Sequence, residues 1–191
     1  MDRCSDLPGN QNPVFWGEIA PCEHIAQFYE HDGVLIDTLS RFVAGGIKAD
    51  ESVIVIATRQ HIEALDARLN STGVNVAMTR LTDQYITLVA DEVLEKFMVK
   101  QWPDEQLFSN FITELIERAR SGGRSVRAFG EMVALLWERG DIAATVRLEY
   151  LWNNLRKNNP FSLFCAYPRV GFTEDASKSM DQICAAHSRI I

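Results

Sequence analysis

The sequence predicts an α/β protein of three layers, a mostly parallel sheet flanked by helices on both faces. Three observations carry this. SVIVIAT (52–58) is an unbroken, β-branched apolar run of the kind found in strands buried on both faces. Leu107, Phe108, Phe111, Ile112, Leu115, Ile116 and Ala119 recur at i, i+4 and i+8, the stripe of an amphipathic helix. Strand-like and helix-like segments then alternate along most of the chain, which is the pattern of βαβ units.

Taken in order, residues 1–21 are rich in Pro, Gly and Asn and read as a flexible arm, leaving 22–191 as the domain. HIAQFY (24–29) reads as a strand. Residues 32–46 read as a helix with Leu35, Leu39, Phe42 and Val43 on one face and Gly45-Gly46 as its stop. After the 52–58 strand, 59–73 reads as a helix ending at a glycine, and the alternation in VNVAMT (74–79) suggests a strand. YITLVA (85–90) is a strand followed by a short helix, 91–98, with Asp91 as its N-cap. The helix 104–120, the strand 125–130, helical segments over 131–157 broken near Gly140-Asp141, the strand 161–167 and a closing helix over 173–190 complete the pattern. Neither internal repeats nor low-complexity tracts interrupt it.

Composition narrows the function classes. The chain has 191 residues, 47% of them hydrophobic, enough for one domain with a full core. No apolar run reaches membrane-spanning length, and the N-terminus is no signal peptide, so a cytoplasmic protein with no membrane partner is expected. The net charge is −7, from 19 basic and 26 acidic residues. A nucleic-acid partner would call for a basic face. The most basic segment, RARSGGRSVR (118–127), reads instead as a helix end whose cations suit the dipole. The four cysteines, 4, 22, 165 and 184, are scattered without a CxxC, and no disulfide is expected.

Sites in open α/β sheets form beyond the carboxyl ends of the strands. That edge collects Tyr29, Glu30, His31 and Asp32 after the first strand, and Arg59 and His61 after the second. It also collects Asp91 after YITLVA, Glu131 after SVRAFG, and Cys165 and Tyr167 at the end of FSLFCAY. The turn QFYEHDG carries one glycine, no lysine and two carboxylates where a phosphate-binding loop needs amides and a cation, so nucleotide hydrolysis there is not expected. Arg127 stands inside a strand, on the side shared with Phe129 and Glu131. A guanidinium there must be paired. Glu131 or Glu149 is the expected partner, either as a lock between helix and sheet or as a pair that a ligand perturbs.

On 142–156, Ala144, Leu148, Leu151, Trp152 and Leu155 form the core stripe, and Glu149 and Asn153 lie one turn apart on its flank, suited to bonding a neighbouring loop. Cys184 and His187 are three apart on the last helix, a ligand-like spacing that Cys165 or His24 could complete. No dense Cys/His cluster is present in the sequence, and neither a metal nor a cofactor is assigned from it. There is no GxSxG elbow, and nothing local supports Cys165 as a nucleophile.

Together, HIAQFYEHDGVLIDTLSRFVAGGIKADESVIVIAT, LVADEVLEKFM, WPDEQLF, VRAFGEMVALLWERGDIAATVRLEYLWNNL, FSLFCAYP and ICAAHS resemble the MEDS domain, a sensory domain of methanogen and methylotroph signalling proteins. The resemblance spans about 22–190. It implies a RecA/KaiC-like fold that lacks Walker A, and a non-enzymatic sensor of small molecules such as hydrocarbon derivatives. The family motifs fall on Phe28, Tyr29 and Glu30; Asp91; Pro103 and Asp104; Arg127 through Glu131; Glu149, Trp152 and Asn153; Cys165, Tyr167 and Pro168; and Cys184 and His187. The family's usual output is an attached histidine kinase or transcription regulator. No output domain is recognised on this sequence, so the expected relay runs through such a protein as a partner, or through a homo-oligomer. The other reading is an interaction module with no small-molecule ligand.

Overall fold

A computed structural model describes residues 22–169 and 177–191. The expected arm lies outside these residues, as do the first four positions of the expected closing helix. Among the described residues a six-stranded sheet has the order β3-β2-β6-β7-β1-β8. Its strands are β1 (His24–Tyr29), β2 (Ser52–Ala57), β3 (Tyr85–Val89), β6 (Val126–Gly130), β7 (Ser162–Pro168) and β8 (Arg189–Ile190), and every pairing is parallel. A separate antiparallel hairpin joins β4 (Met98–Val99) to β5 (Trp102–Pro103).

Alternation along the strands feeds two cores. Ile25, Val53, Val55, Phe129 and Phe164 face one layer, made by α1 (Asp32–Lys48), α2 (Arg59–Ser71) and α3 (Val76–Leu81). Ala26, Phe28, Ile54, Ala128, Cys165 and Tyr167 face the other. That second layer contains α4 (Ala90–Phe97), α5 (Glu105–Arg120), α6 (Met132–Glu138), α7 (Ile142–Asn158) and α8 (Ser177–Ala186). The strands are therefore covered on both sides, which is why their sequences read as continuous apolar runs.

Local chemistry sets the boundaries. Thr58 caps α2 by accepting from the His61 amide at 3.2 Å, and Asp104 caps α5 by accepting from the Leu107 amide at 2.9 Å. Gly140 takes φ 79° and breaks the helical segment between α6 and α7 as expected. Four expectations are corrected. Gly45-Gly46 do not stop the first helix, which runs through them to Lys48. Residues 74–79 do not form a strand: the Asn75 side chain accepts from the Met78 amide at 3.0 Å and starts α3. Asp91 is not a cap, because α4 begins at Ala90 and Asp91 lies in its first turn. The closing helix ends at Ala186, and the chain then turns into β8 beside β1.

Candidate functional site

The helix that follows β2 packs on one face of the sheet, whereas the helix that follows the adjacent β6 packs on the other. Such a divergence between neighbouring strands opens a crevice at their carboxyl ends. Glu131 spans it. This residue ends the β6 turn, with its amide donating to the Ile56 carbonyl at 2.8 Å. Its Oε2 accepts from the Thr58 amide at 2.7 Å, and its Oε1 lies 2.6 Å from His61 Nδ1. The other ring nitrogen of His61 is 3.5 Å from Asp32, at the start of α1. The Glu131 hydrogen bond raises the His61 pKa against the opposing effect of burial, with Asp32 adding to the rise. Burial, then the charges of Glu131, Glu138 and Asp32, push the Tyr29 phenol up.

The other edge residues form the rim. Glu30 faces Arg169 at 3.5 Å, Arg59 pairs with Glu92 at 2.9 Å, and His31 is exposed at the N-cap position of α1 without a side-chain cap bond. Asp91 pairs with Arg139, and the two help line a half-open pocket of about 250 Å³ between α4 and α6, with Leu94, Met98 and Leu136 on its walls.

Arg127 belongs to neither place. It is near the amino end of β6, so it lies at the opposite edge of the sheet from Glu131, and it faces α1, not α7. Its partners include Glu51, the Phe42 carbonyl at 3.1 Å and the Phe42 ring at 5.2 Å. The expected pairing with Glu131 or Glu149 is therefore incorrect. The alternation placed Arg127 on the correct face, but the strand's direction sets which end of the sheet it reaches.

Glu149 instead anchors a second, fully enclosed cluster under the α7 face. Tyr167 donates its hydroxyl to Glu149 Oε1. His24 Nε2 lies 3.4 Å from Glu149 Oε2 and 3.5 Å from Cys165 Sγ, and His187 Nε2 lies 3.5 Å from Glu149 Oε1. The two imidazole rings are 3.9 Å apart between centroids. Ligand atoms from His24, Glu149, Cys165 and His187 all lie within 4.8 Å of one another. Burial, then the neighbouring His187, hold the His24 pKa well below its ordinary value. Burial, then Glu149, push the Cys165 thiol and the Tyr167 phenol well above theirs. Asn153 bonds the end of α8 and β1 instead of the expected loop: its Nδ2 donates to the Ala186 carbonyl at 3.0 Å, and its Oδ1 faces His24 Nδ1 at 3.0 Å.

Cys184 is disulfide-bonded, against expectation, so its sulfur is not a thiol ligand beside His187; Cys22 and Cys165 are free. Sequence reasoning put Tyr29, Asp32, His61 and Glu131 on one edge, where they surround the crevice, but it put Cys165 and Tyr167 there too, and the structure instead buries these two beside His24 and Glu149, because their side chains point to the α7 face of β7. It noted His24, Cys165 and His187 as possible companions, but did not unite them with Glu149. A signal existed in strand parity, since His24 and Cys165 both fall on the α7 side of adjacent strands.

No helix among the described residues is long and apolar enough to cross a membrane. No curated protein matches the chain. The profile of the family described as MEDS, the methanogen/methylotroph, DcmR sensory domain, matches residues 23–188. With that match over nearly all of the α/β unit just described, the chain belongs to the MEDS family of sensory domains.

Proposed function

We propose that this chain is a non-enzymatic sensor that binds a small, largely apolar ligand, a hydrocarbon derivative or one-carbon compound. It relays occupancy to a partner such as a histidine kinase or transcription regulator. The observation that carries the reading is the crevice between β2 and β6. Where a nucleotide site needs bare amides and a cation, this crevice holds Glu131, whose carboxylate already occupies the Thr58 amide, with Asp32 close by. That arrangement repels phosphate. The pocket of about 250 Å³ between α4 and α6 has Leu94, Met98 and Leu136 as its apolar wall and Asp91, Glu95, Arg139 and Asp141 as its charged one; it is below the usual size of drug-binding cavities and suits a molecule of few heavy atoms.

The test is a melting-temperature screen of short hydrocarbons, halocarbons and one-carbon metabolites. A true ligand at a hundredfold excess over its Kd stabilises by about 2.7 kcal/mol. Met98→Trp, which fills the pocket, should remove the shift. A flat response across the panel overturns the reading. Turnover of ATP with magnesium should remain at background.

One observation favours an interaction module instead. Val99 and Trp102 face each other across the β4–β5 hairpin while each is 47% exposed, and Leu107 on α5 is 43% exposed. Light scattering of the chain and of Trp102→Ser tests this. A concentration-dependent oligomer lost in the variant supports it, and an unchanged monomer refutes self-association through the hairpin.

A further inference from the structure

We propose that His24, Glu149, Cys165 and His187 form a closed four-ligand site for a divalent transition ion of the zinc class. This goes beyond the sensory reading and does not depend on it.

The tautomers of both histidines are set by backbone carbonyls, which can only accept. His24 Nδ1 lies 3.1 Å from the Ala186 carbonyl, and His187 Nδ1 lies 2.6 Å from the Ile183 carbonyl. Each Nδ1 therefore carries the proton, and each Nε2 turns a bare lone pair inward. Metal-binding imidazoles are held in just this manner, with the far nitrogen donating to a carbonyl. The inward lone pairs meet more electron density: Glu149 Oε2 and Cys165 Sγ. Tyr167 occupies Glu149 Oε1 and leaves Oε2 for a ligand bond. Glu149 Oε2 and His187 Nε2 are buried with no hydrogen-bond partner. The Cys165 thiol proton can serve His24 Nε2, but the lone pairs of Glu149 Oε2 and His187 Nε2 remain dry and without a donor, an unfavourable arrangement that a cation among them relieves.

Geometry and charge both fit. Zinc bonds of about 2.0–2.3 Å place the corners of a tetrahedron about 3.3–3.7 Å apart. The His24–Glu149 and His24–Cys165 edges are already 3.4 and 3.5 Å. The longest ligand separation, at most 4.8 Å, closes by about 1 Å. Binding of one M²⁺ expels the Cys165 thiol proton to solvent, and the thiolate and the Glu149 carboxylate then cancel the two positive charges of the ion. The buried centre becomes neutral. Arg156, whose charge reaches His24 and Cys165, is held aside by the carbonyls of Cys22 and Phe161 and by Asn153. The mixed imidazole, thiolate and carboxylate set suits zinc better than calcium or magnesium, which take oxygen ligands.

The four ligands come from β1, α7, β7 and the residue after α8. The ion therefore ties α8 and β8 to the rest of the sheet. With four protein ligands and no position open to water, the site is structural or regulatory and not hydrolytic.

The experiment uses the full chain with the Cys184 disulfide kept intact, treated with a chelator and titrated anaerobically with cobalt(II). The expected result is one cobalt per chain, with intense tetrahedral ligand-field bands in the visible and a thiolate-to-cobalt charge-transfer band in the near ultraviolet. Zinc(II) should displace cobalt and raise the melting temperature. Cys165→Ser should lose the charge-transfer band, and Cys165→Ala provides a second variant if serine prevents folding. Failure of the wild-type chain to take up one equivalent, uptake without the charge-transfer band, or survival of that band in either Cys165 variant overturns the proposal. Only inorganic ions are used, so this result and that of the organic-ligand screen fail independently.

Discussion

Arg127 and Glu51 pair with each other, yet removing one charge should cost more than removing the other. The Arg127 side chain is 2% exposed, and that of Glu51 is 21% exposed. Glu51→Ala takes the Glu51 carboxylate away from a guanidinium that stays in the core with the Phe42 carbonyl and ring. Breaking a buried pair in this sense costs about 3 kcal/mol, the lower end of the usual range because one end of the pair reaches solvent. Arg127→Met keeps much of the buried volume and removes the charge, while Glu51 can turn to water. That change costs about 1–1.5 kcal/mol, as for a shape-conserving core swap. In a chain of this size, 1 kcal/mol moves the melting temperature by roughly 2–4 °C. Glu51→Ala should therefore melt about 6–12 °C lower and Arg127→Met about 2–6 °C lower. Urea denaturation followed by circular dichroism measures the same difference at equilibrium. If Arg127→Met proves as costly as Glu51→Ala, burial asymmetry does not govern this pair and the reasoning is refuted.

Other predictions address separate parts of the molecule. The folded pKa of His61 is raised, chiefly by Glu131, so the folded chain holds this proton longer than the unfolded chain. Its stabilisation is fully present below about pH 6.5, the unfolded value, and is lost as pH rises through the folded value. Glu131, Asp32, Glu138 and Tyr29 surround the crevice, and His61→Gln should flatten the alkaline limb of denaturation midpoints if His61 is the titrating group. A Cβ at Gly46 would lie 2.7 Å from Val53 and 2.8 Å from Arg127, so Gly46→Ala should destabilise by about 1–3 kcal/mol despite better helix propensity. Gly33→Ala, with nothing within 4 Å of the added methyl, should stabilise by about 0.4–1 kcal/mol in the same assay. Asn75→Ala should cost about 1 kcal/mol through loss of the α3 cap, and amide exchange should quicken at Met78.

The parts of the fold readable in sequence were those where local pattern and burial agree. The β-branched 52–58 run and the stripe from Phe108 to Ala119 became β2 and α5 because both bury what they display. VNVAMT misled because its alternation is not core packing: Val76 is buried, but Met78 is 55% exposed, and the decisive signal was one capping side chain at Asn75. The β4–β5 hairpin was missed because its turn residues, Lys100 and Gln101, take φ 49° and 63° without glycine or asparagine to announce it. The crevice could be anticipated, since strand ends are visible in a sequence. The position of Arg127 at the opposite edge required the strand's direction and neighbours. The enclosed cluster required long-range register, as His24 and Cys165 are separated by 141 positions.

That separation also constrains how the chain folds. β1 is made first, but both of its neighbours in the sheet come late: Cys165 lies across from Ala26, and His24 reaches Ser188 over 164 positions. Strands β2, β3 and β6 can assemble from nearer segments, whereas HIAQFY must wait for almost the whole sequence before it has a place. Closing such long loops is slow, because the entropy is lost before the contacts form. Among the described strands, β1 therefore waits longest for its neighbours during synthesis, and it is an aggregation hazard until β7 and β8 flank it.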